Sequence, residues 1–219
     1  MESQVRGGTR WKRFAVVMVP SVAATAAIGV ALAQGALAAS FSVSGQSFKV
    51  TAKSLHGEGF SQYGAIDQGY TLTGGKAAHP VAVSAFTKAR IQKMCQSVVT
   101  PDLPIIGDVT LRLEAGDSSD EKKQVHAENL YIDVEDLQAD ATFNGLDIGV
   151  AGKDLKGARI KDAEIQNKQA NPFGFAQQAD SVDLTGVRQT AWATTAGTFK
   201  LSGLHMSLHR GSGKDIECY

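Results

Sequence analysis

Apolar and polar residues alternate along most of this chain after Ser40. Phe41 and Val43, then Phe48, Val50 and Ala52, are interleaved with Ser, Lys and Thr. Val81, Val83 and Ala85 repeat the habit, as do Val109, Leu111 and Leu113, and again Leu130, Ile132 and Val134. Near the C-terminus Phe199 and Leu201 precede Leu204, Met206 and Leu208, which alternate with His205, Ser207 and His209. A period of two sets one face of a strand against a core and the other in water. Glycine-rich breaks at 56–59, 73–75, 116–119 and 211–213 separate the runs. The pattern predicts an all-β fold of mainly antiparallel, amphipathic strands.

Helix signals are few. Residues 84–95 fit a helix or a strand, because Phe86, Ala89, Arg90 and Lys93 are spaced three or four apart while the earlier residues alternate. Thr100-Pro101-Asp102-Leu103-Pro104 is a stiff turn and a candidate seam near 100–107 between two halves. Two weak repeats stand out. Phe48, Val50, Ala52 and Leu55 are matched in spacing by Leu130, Ile132, Val134 and Leu137, and each set is followed by an aromatic, Phe60 and Phe143. Leu155, Ile160 and Ile165 recur every five residues, the habit of a pentapeptide β-coil. So few units make at most a short coil, since a solenoid needs several stacked turns.

The first forty residues have a different character. Arg6, Arg10, Lys12 and Arg13 precede a charge-free run from Phe14 to Ala33, and Ala36-Leu37-Ala38 follows. A basic start, an apolar middle and small residues at the end form a secretory signal, with cleavage before Ala39. The same run is long enough to cross a bilayer as a helix. Residues 1–38 are therefore a cleaved signal peptide or an uncleaved anchor, with residues 14–33 as the span. Either reading places residues 39–219, a single β-rich domain, outside the cytoplasm.

Cysteine usage agrees with export. The chain has two cysteines, Cys95 and Cys218, and an even count in an oxidising compartment points to one disulfide. Neither has a second Cys or His at ligand spacing, so no metal site is expected there. Charge narrows the partners. Residues 1–38 hold four basic residues and one acid, and since the whole chain is neutral the remainder carries a net charge of −3. No basic stripe argues for nucleic acid.

Catalytic motifs are incomplete. Gly59-Phe60-Ser61-Gln62-Tyr63-Gly64 lacks the spacing of a nucleophile elbow. Gly116-Asp117-Ser118 resembles an esterase block only superficially, and its Gly/Ser/Asp surroundings read as a turn. His205 and His209 share one face of a strand, opposite Leu204, Met206 and Leu208, with no third ligand in step. His56, His79 and His126 stand alone in the sequence, and Asp133, Glu135, Asp136 and Asp140 read as a solvated acidic face. No catalytic, cofactor or metal residue emerges, and no cofactor is expected.

Met1-Glu2-Ser3-Gln4-Val5-Arg6-Gly7-Gly8-Thr9-Arg10-Trp11-Lys12-Arg13-Phe14, Cys95-Gln96-Ser97-Val98-Val99-Thr100-Pro101, and the stretch Thr190 to Leu204 carry a resemblance over nearly the whole chain. It resembles a family of small exported actinobacterial proteins of unknown function. Relatives in that family bear the labels "membrane protein" and "cholesterol esterase", and the resemblance implies a small multi-pass membrane protein as partner. The expected function is a non-enzymatic envelope protein that binds lipid or docks on a membrane partner. A half-open apolar sheet with few covering helices would supply the groove. The alternatives are a lipid-ester hydrolase, with Ser61 or Ser118 as nucleophile, and a surface protein assembling through its sheet edges.

Overall fold

Alternation with little helix-forming pattern leaves the chain one way to bury its apolar faces, which is strand beside strand. A computed structural model describes residues 42–219; the signal or anchor helix read in residues 1–38 lies outside the described residues. Among the described residues nine strands form: β1 (Phe48–Tyr70), β2 (Lys76–Gln92), β3 (Met94–Leu103), β4 (Gly107–Ala115), β5 (Val125–Asn144), β6 (Asp147–Ala151), β7 (Phe175–Thr195), β8 (Thr198–Lys200) and β9 (His205–Arg210). A five-residue helix, α1 (Asp162–Gln166), follows β6. The segment that fitted either state is strand, divided between β2 and β3.

Four long strands close on themselves. β1 pairs with β2, β2 with β5, β5 with β7, and β7 returns to β1, all antiparallel. Closure removes the open edges that a flat sheet would leave. β3, β4 and β9 extend as a wing from the start of β1, where Lys49–Thr51 pair with Cys95–Ser97. β6 adds to β7 and β8 to β5. Residues 103–107, read as part of a seam, form the turn of the β3–β4 hairpin. The two repeat copies are β1 and β5, and the rings of Phe60 and Phe143 meet with centroids 5.4 Å apart.

The ring holds the main core, built around Leu55, Phe60, Phe86, Leu130, Ile132 and Val182. Leu55 and Phe60 both face it although they are five residues apart, so the alternation in β1 slips by one between them. The slip falls at Gly59, whose φ of +58° favours glycine. Beyond it the odd positions Tyr63 and Ala65 belong to a second cluster with Val83, Leu155 and Ile160.

That cluster is covered by a strap, residues 152–171. The strap corrects the expectation of a β-coil. Leu155 and Ile160 are buried and Ile165 is half-buried, but they pack in one cluster with residues of the ring, and residues 155–165 form no strand. Two regular five-residue units are too short to bury their own apolar edge, so they use the neighbouring sheet. The strap crosses β1 backbone to backbone. Ala158 N–H donates to Gly59 O at 3.0 Å, and a Cβ on Gly157 would collide with Gly59.

The same tightness sets a prediction at Gly57, where a Cβ would fall within the Phe86 ring. Phe86 is 2% exposed, so its ring can give way only within the interior. Gly57→Ala is expected to destabilise the fold by about 1–3 kcal/mol, read from urea unfolding. An unchanged midpoint would show that the Phe86 ring yields freely.

Candidate functional site

Two features stand out from ordinary packing, one inside the ring and one on its outer face. Inside lies a cavity of about 150 Å³. Phe60, Phe86, Ile132, Phe143 and Leu184 give it an apolar wall. Leu137, 37% exposed, lies at its rim. Three polar side chains break the wall, Gln62, Ser84 and Gln189. Gln62 Nε2 donates to Ser84 Oγ at 3.0 Å, and Gln62 Oε1 accepts from Gln177. Gln189 is 7% exposed, and among the described residues no side-chain hydrogen bond engages its amide. Its amide is not among the fully enclosed unpartnered atoms, and it borders space that a ligand's polar group could enter.

The outer feature is a buried polar cluster beneath the strap. Tyr63 and Asp67 come from β1, His79 from β2, Tyr131 and Asp133 from β5, Trp192 from β7, and Lys161 and Glu164 from the strap. Tyr63 Oη donates to Glu164 Oε2 at 2.8 Å, and Lys161 Nζ lies 3.2 Å from Glu164 Oε1. Tyr131 Oη donates to Arg159 O at 2.9 Å, and Lys161 Nζ sits 4.5 Å from the centre of the Tyr131 ring. His79 stacks on Trp192 with centroids 3.5 Å apart.

Asp67 and Asp133 are 9% and 6% exposed. Asp67 Oδ2, Asp133 Oδ1 and His79 Nε2 are enclosed without a hydrogen-bond partner. Burial, and then the charge of Asp67, push Asp133 up to about 7. Burial, and then the charge of Glu164, raise Asp67 as well. Burial and Glu164 push the Tyr63 phenol far above its ordinary range, so it stays a hydrogen-bond donor. The pair therefore holds a proton near neutral pH, as two close carboxyls with limited solvent must. The cluster is a titrating element within the packing.

Asp133 departs from the solvated acidic face read in the sequence. Glu135, Asp136 and Asp140 are exposed, but Asp133 lies under the strap. His205 and His209 are exposed as expected, yet the opposite face is exposed too, with Met206 at 56% and Leu208 at 72%. β9 is an edge strand with β4 on one side and nothing beyond it among the described residues. Period two showed that the faces differ, not that either is covered.

The serines gain no catalytic partners. Ser61 is 0% exposed and its Oγ has no hydrogen bond, while Ser118 Oγ accepts from Asp120 N–H. His56 Nδ1 lies 2.7 Å from Asp183 Oδ1, but among the described residues no hydrogen bond joins this pair to a serine. Among the described residues no group of three or more His, Cys, Asp and Glu is arranged to hold a metal. Cys95 and Cys218 form a disulfide across 123 positions, with Cα atoms 5.8 Å apart.

Gln189 and Asp67 were not singled out from the sequence. A signal existed for Asp67. It continues the register Tyr63, Ala65, Asp67, an acid in step with apolar residues.

A sequence model described as "Family of unknown function (DUF6230)" matches residues 44–219. No curated protein and no solved structure matches the chain.

Proposed function

We propose that this chain, which belongs to that family of unknown function over residues 44–219, is an exported, non-enzymatic envelope protein that holds the apolar end of a lipid in its barrel. The observation that carries this reading is the apolar cavity inside the ring, with its rim at Leu137 and the unengaged amide of Gln189 in its wall. The disulfide is in keeping with an oxidising compartment. An enclosed Ser61 and a turn-bound Ser118 give a hydrolase no nucleophile with a base beside it.

Size limits the ligand. A space of about 150 Å³ is what a benzene-sized group fills, well below the several hundred cubic ångströms of sites for whole small molecules. It takes the end of one alkyl chain, or a branched or cyclic tip, and leaves the rest of the lipid outside the mouth. Gln189 would meet a single polar atom on that tip.

The test is native mass spectrometry of the exported protein from its producing host, with lipid extraction of the same sample. The wild type is expected to carry one lipid per chain. Leu137→Trp, which places a larger side chain at an already exposed rim, is expected to lower occupancy by roughly tenfold, the equivalent of about 1.4 kcal/mol, with little change in melting temperature. A wild type as empty as the variant would remove the reading.

A further inference from the structure

We propose that the exported domain rests on a lipid bilayer through two apolar turns, one at Tyr70–Leu72 and one at Leu103–Ile106, which flank the point where the chain joins the fold.

The β3–β4 turn is costly for a folded protein in water. Ile106 N–H donates to Leu103 O at 3.2 Å, so Pro104 and Ile105 are the central residues. Ile105 has φ +72°. A turn with proline first and a positive φ second is ordinarily filled by glycine or asparagine. A β-branched residue held there is strained. Ile105 is also 100% exposed, with Ile106 at 48% and Leu103 at 36%. The isoleucine harms both the backbone and the solubility of the turn, so its use lies outside the chain.

The second turn shares the apolar exposure without the backbone strain, its positive φ falling at Gly74. Tyr70 is 52% and Leu72 58% exposed. Thr71 N–H donates to Gly75 O at 2.7 Å and Gly74 N–H to Thr71 O at 2.9 Å. Both turns thus meet backbone groups internally, and Arg210 Nε adds a bond to Ile106 O at 3.0 Å. Backbone entering an apolar layer must be satisfied in this way.

The occupant follows from where the chain joins the domain. Val43 pairs with Gly69, and Tyr70 N–H donates to Val43 O at 3.3 Å. Gly45 lies so close to Leu72 that a Cβ would strike its backbone. Gln46 Nε2 donates to Val99 O at 2.8 Å, on the strand that runs out to Leu103. The segment before β1 therefore passes between the two turns. Upstream, eight residues, 34–41, separate Ser42 from the charge-free run 14–33. Eight residues reach at most about 29 Å. Where that run stays in the membrane, the entry point between the two turns is tethered within this reach of the bilayer. Isolated apolar tips suit a fluid layer, which needs no shape match, better than a protein surface, which does.

This rests on the export reading for the presence of a membrane and is independent of the cavity. The experiment uses the exported chain, in the length the host delivers, with vesicles of phosphatidylethanolamine and phosphatidylglycerol bearing brominated acyl chains. After subtraction of the wild-type signal, Ile105→Trp and Leu72→Trp are expected to be quenched strongly and Phe175→Trp, at another exposed apolar position, weakly. Ile105→Asn is expected to reduce vesicle binding roughly tenfold or more while leaving the melting temperature equal or higher, since asparagine tolerates a positive φ. A purely structural turn would show no loss of binding. Absent quenching at both turns would overturn the proposal, as would cross-links from them to a second copy or to a membrane protein instead of lipid. Lipid occupancy measured on the same Ile105→Asn sample separates this result from the cavity reading.

Discussion

Replacing both Cys95 and Cys218 by serine is expected to destabilise the protein by about 5 kcal/mol in the chain-entropy account, because the bond closes a loop spanning 123 positions. That is a third or more of the stability of an ordinary domain. For a chain of this size it corresponds to a fall in melting temperature of roughly 10–20 °C. The bond also fastens the C-terminal tail over the polar face of the wing. Cys218 N–H donates to Ser97 Oγ at 3.1 Å, and Lys49 Nζ donates to Tyr219 O at 3.1 Å and lies 2.8 Å from Glu217 Oε2. Tyr219 Oη and Thr190 Oγ1 are 3.0 Å apart. Without the covalent link the tail must be ordered by these contacts alone. Calorimetry of the oxidised protein and the double variant measures the difference. A fall of less than about 1 kcal/mol would mean that the tail contacts hold the wing unaided.

The second large effect is a loss of stability as pH rises through neutrality. Asp133 is pushed up to about 7 in the folded protein, whereas an unfolded aspartate titrates near 4. The folded state therefore binds this proton more tightly. The stabilisation is fully present below about pH 4 and is lost as pH climbs through 7. Asp67, raised as well, adds to the same trend. At Asp133 the Lys161 charge works against burial and Asp67, and Glu164 adds a smaller push in their direction. The size is on the order of 4 kcal/mol. The melting temperature of the wild type is expected to fall between pH 5 and pH 8. Asp133→Asn keeps a neutral hydrogen-bonding group beside Asp67. It is expected to flatten that slope and to be the more stable protein at pH 8. A wild type with a flat profile over this range would show that the two carboxyls do not share a proton.

How far the sequence foretells this molecule differs from element to element. The apolar alternation at 48–52, 81–85 and 130–134 sits in β1, β2 and β5, and the matched spacings around Leu55 and Leu137 mark two strands of the same ring. Residues 84–95 were ambiguous because their local pattern suits two structures. Pairing with β1, β5 and β4 decided for strand. The period-five residues were right as apolar positions and wrong as a coil, since a repeat tells which residues need covering but not what covers them.

The cavity and the acid pair were hidden for a related reason. Gln189 matters because four strands close around it, and closure depends on pairings between residues more than a hundred positions apart, such as Thr51 with Arg188. Asp133 looks like its neighbours Glu135 and Asp136 along the chain. It differs only because Tyr63 and the strap residues Lys161 and Glu164 are brought over it.

Local order thus determined that the chain would fold as amphipathic strands, with paired cysteines and glycine-rich breaks between strands, because these follow from side-chain period, residue type and turn chemistry. Which face is buried, where alternation slips at Gly59, whether β9 is covered, and which carboxyl keeps its proton were settled by long-range packing. Desolvation and closure are properties of surfaces that meet, and those surfaces come from distant parts of the chain.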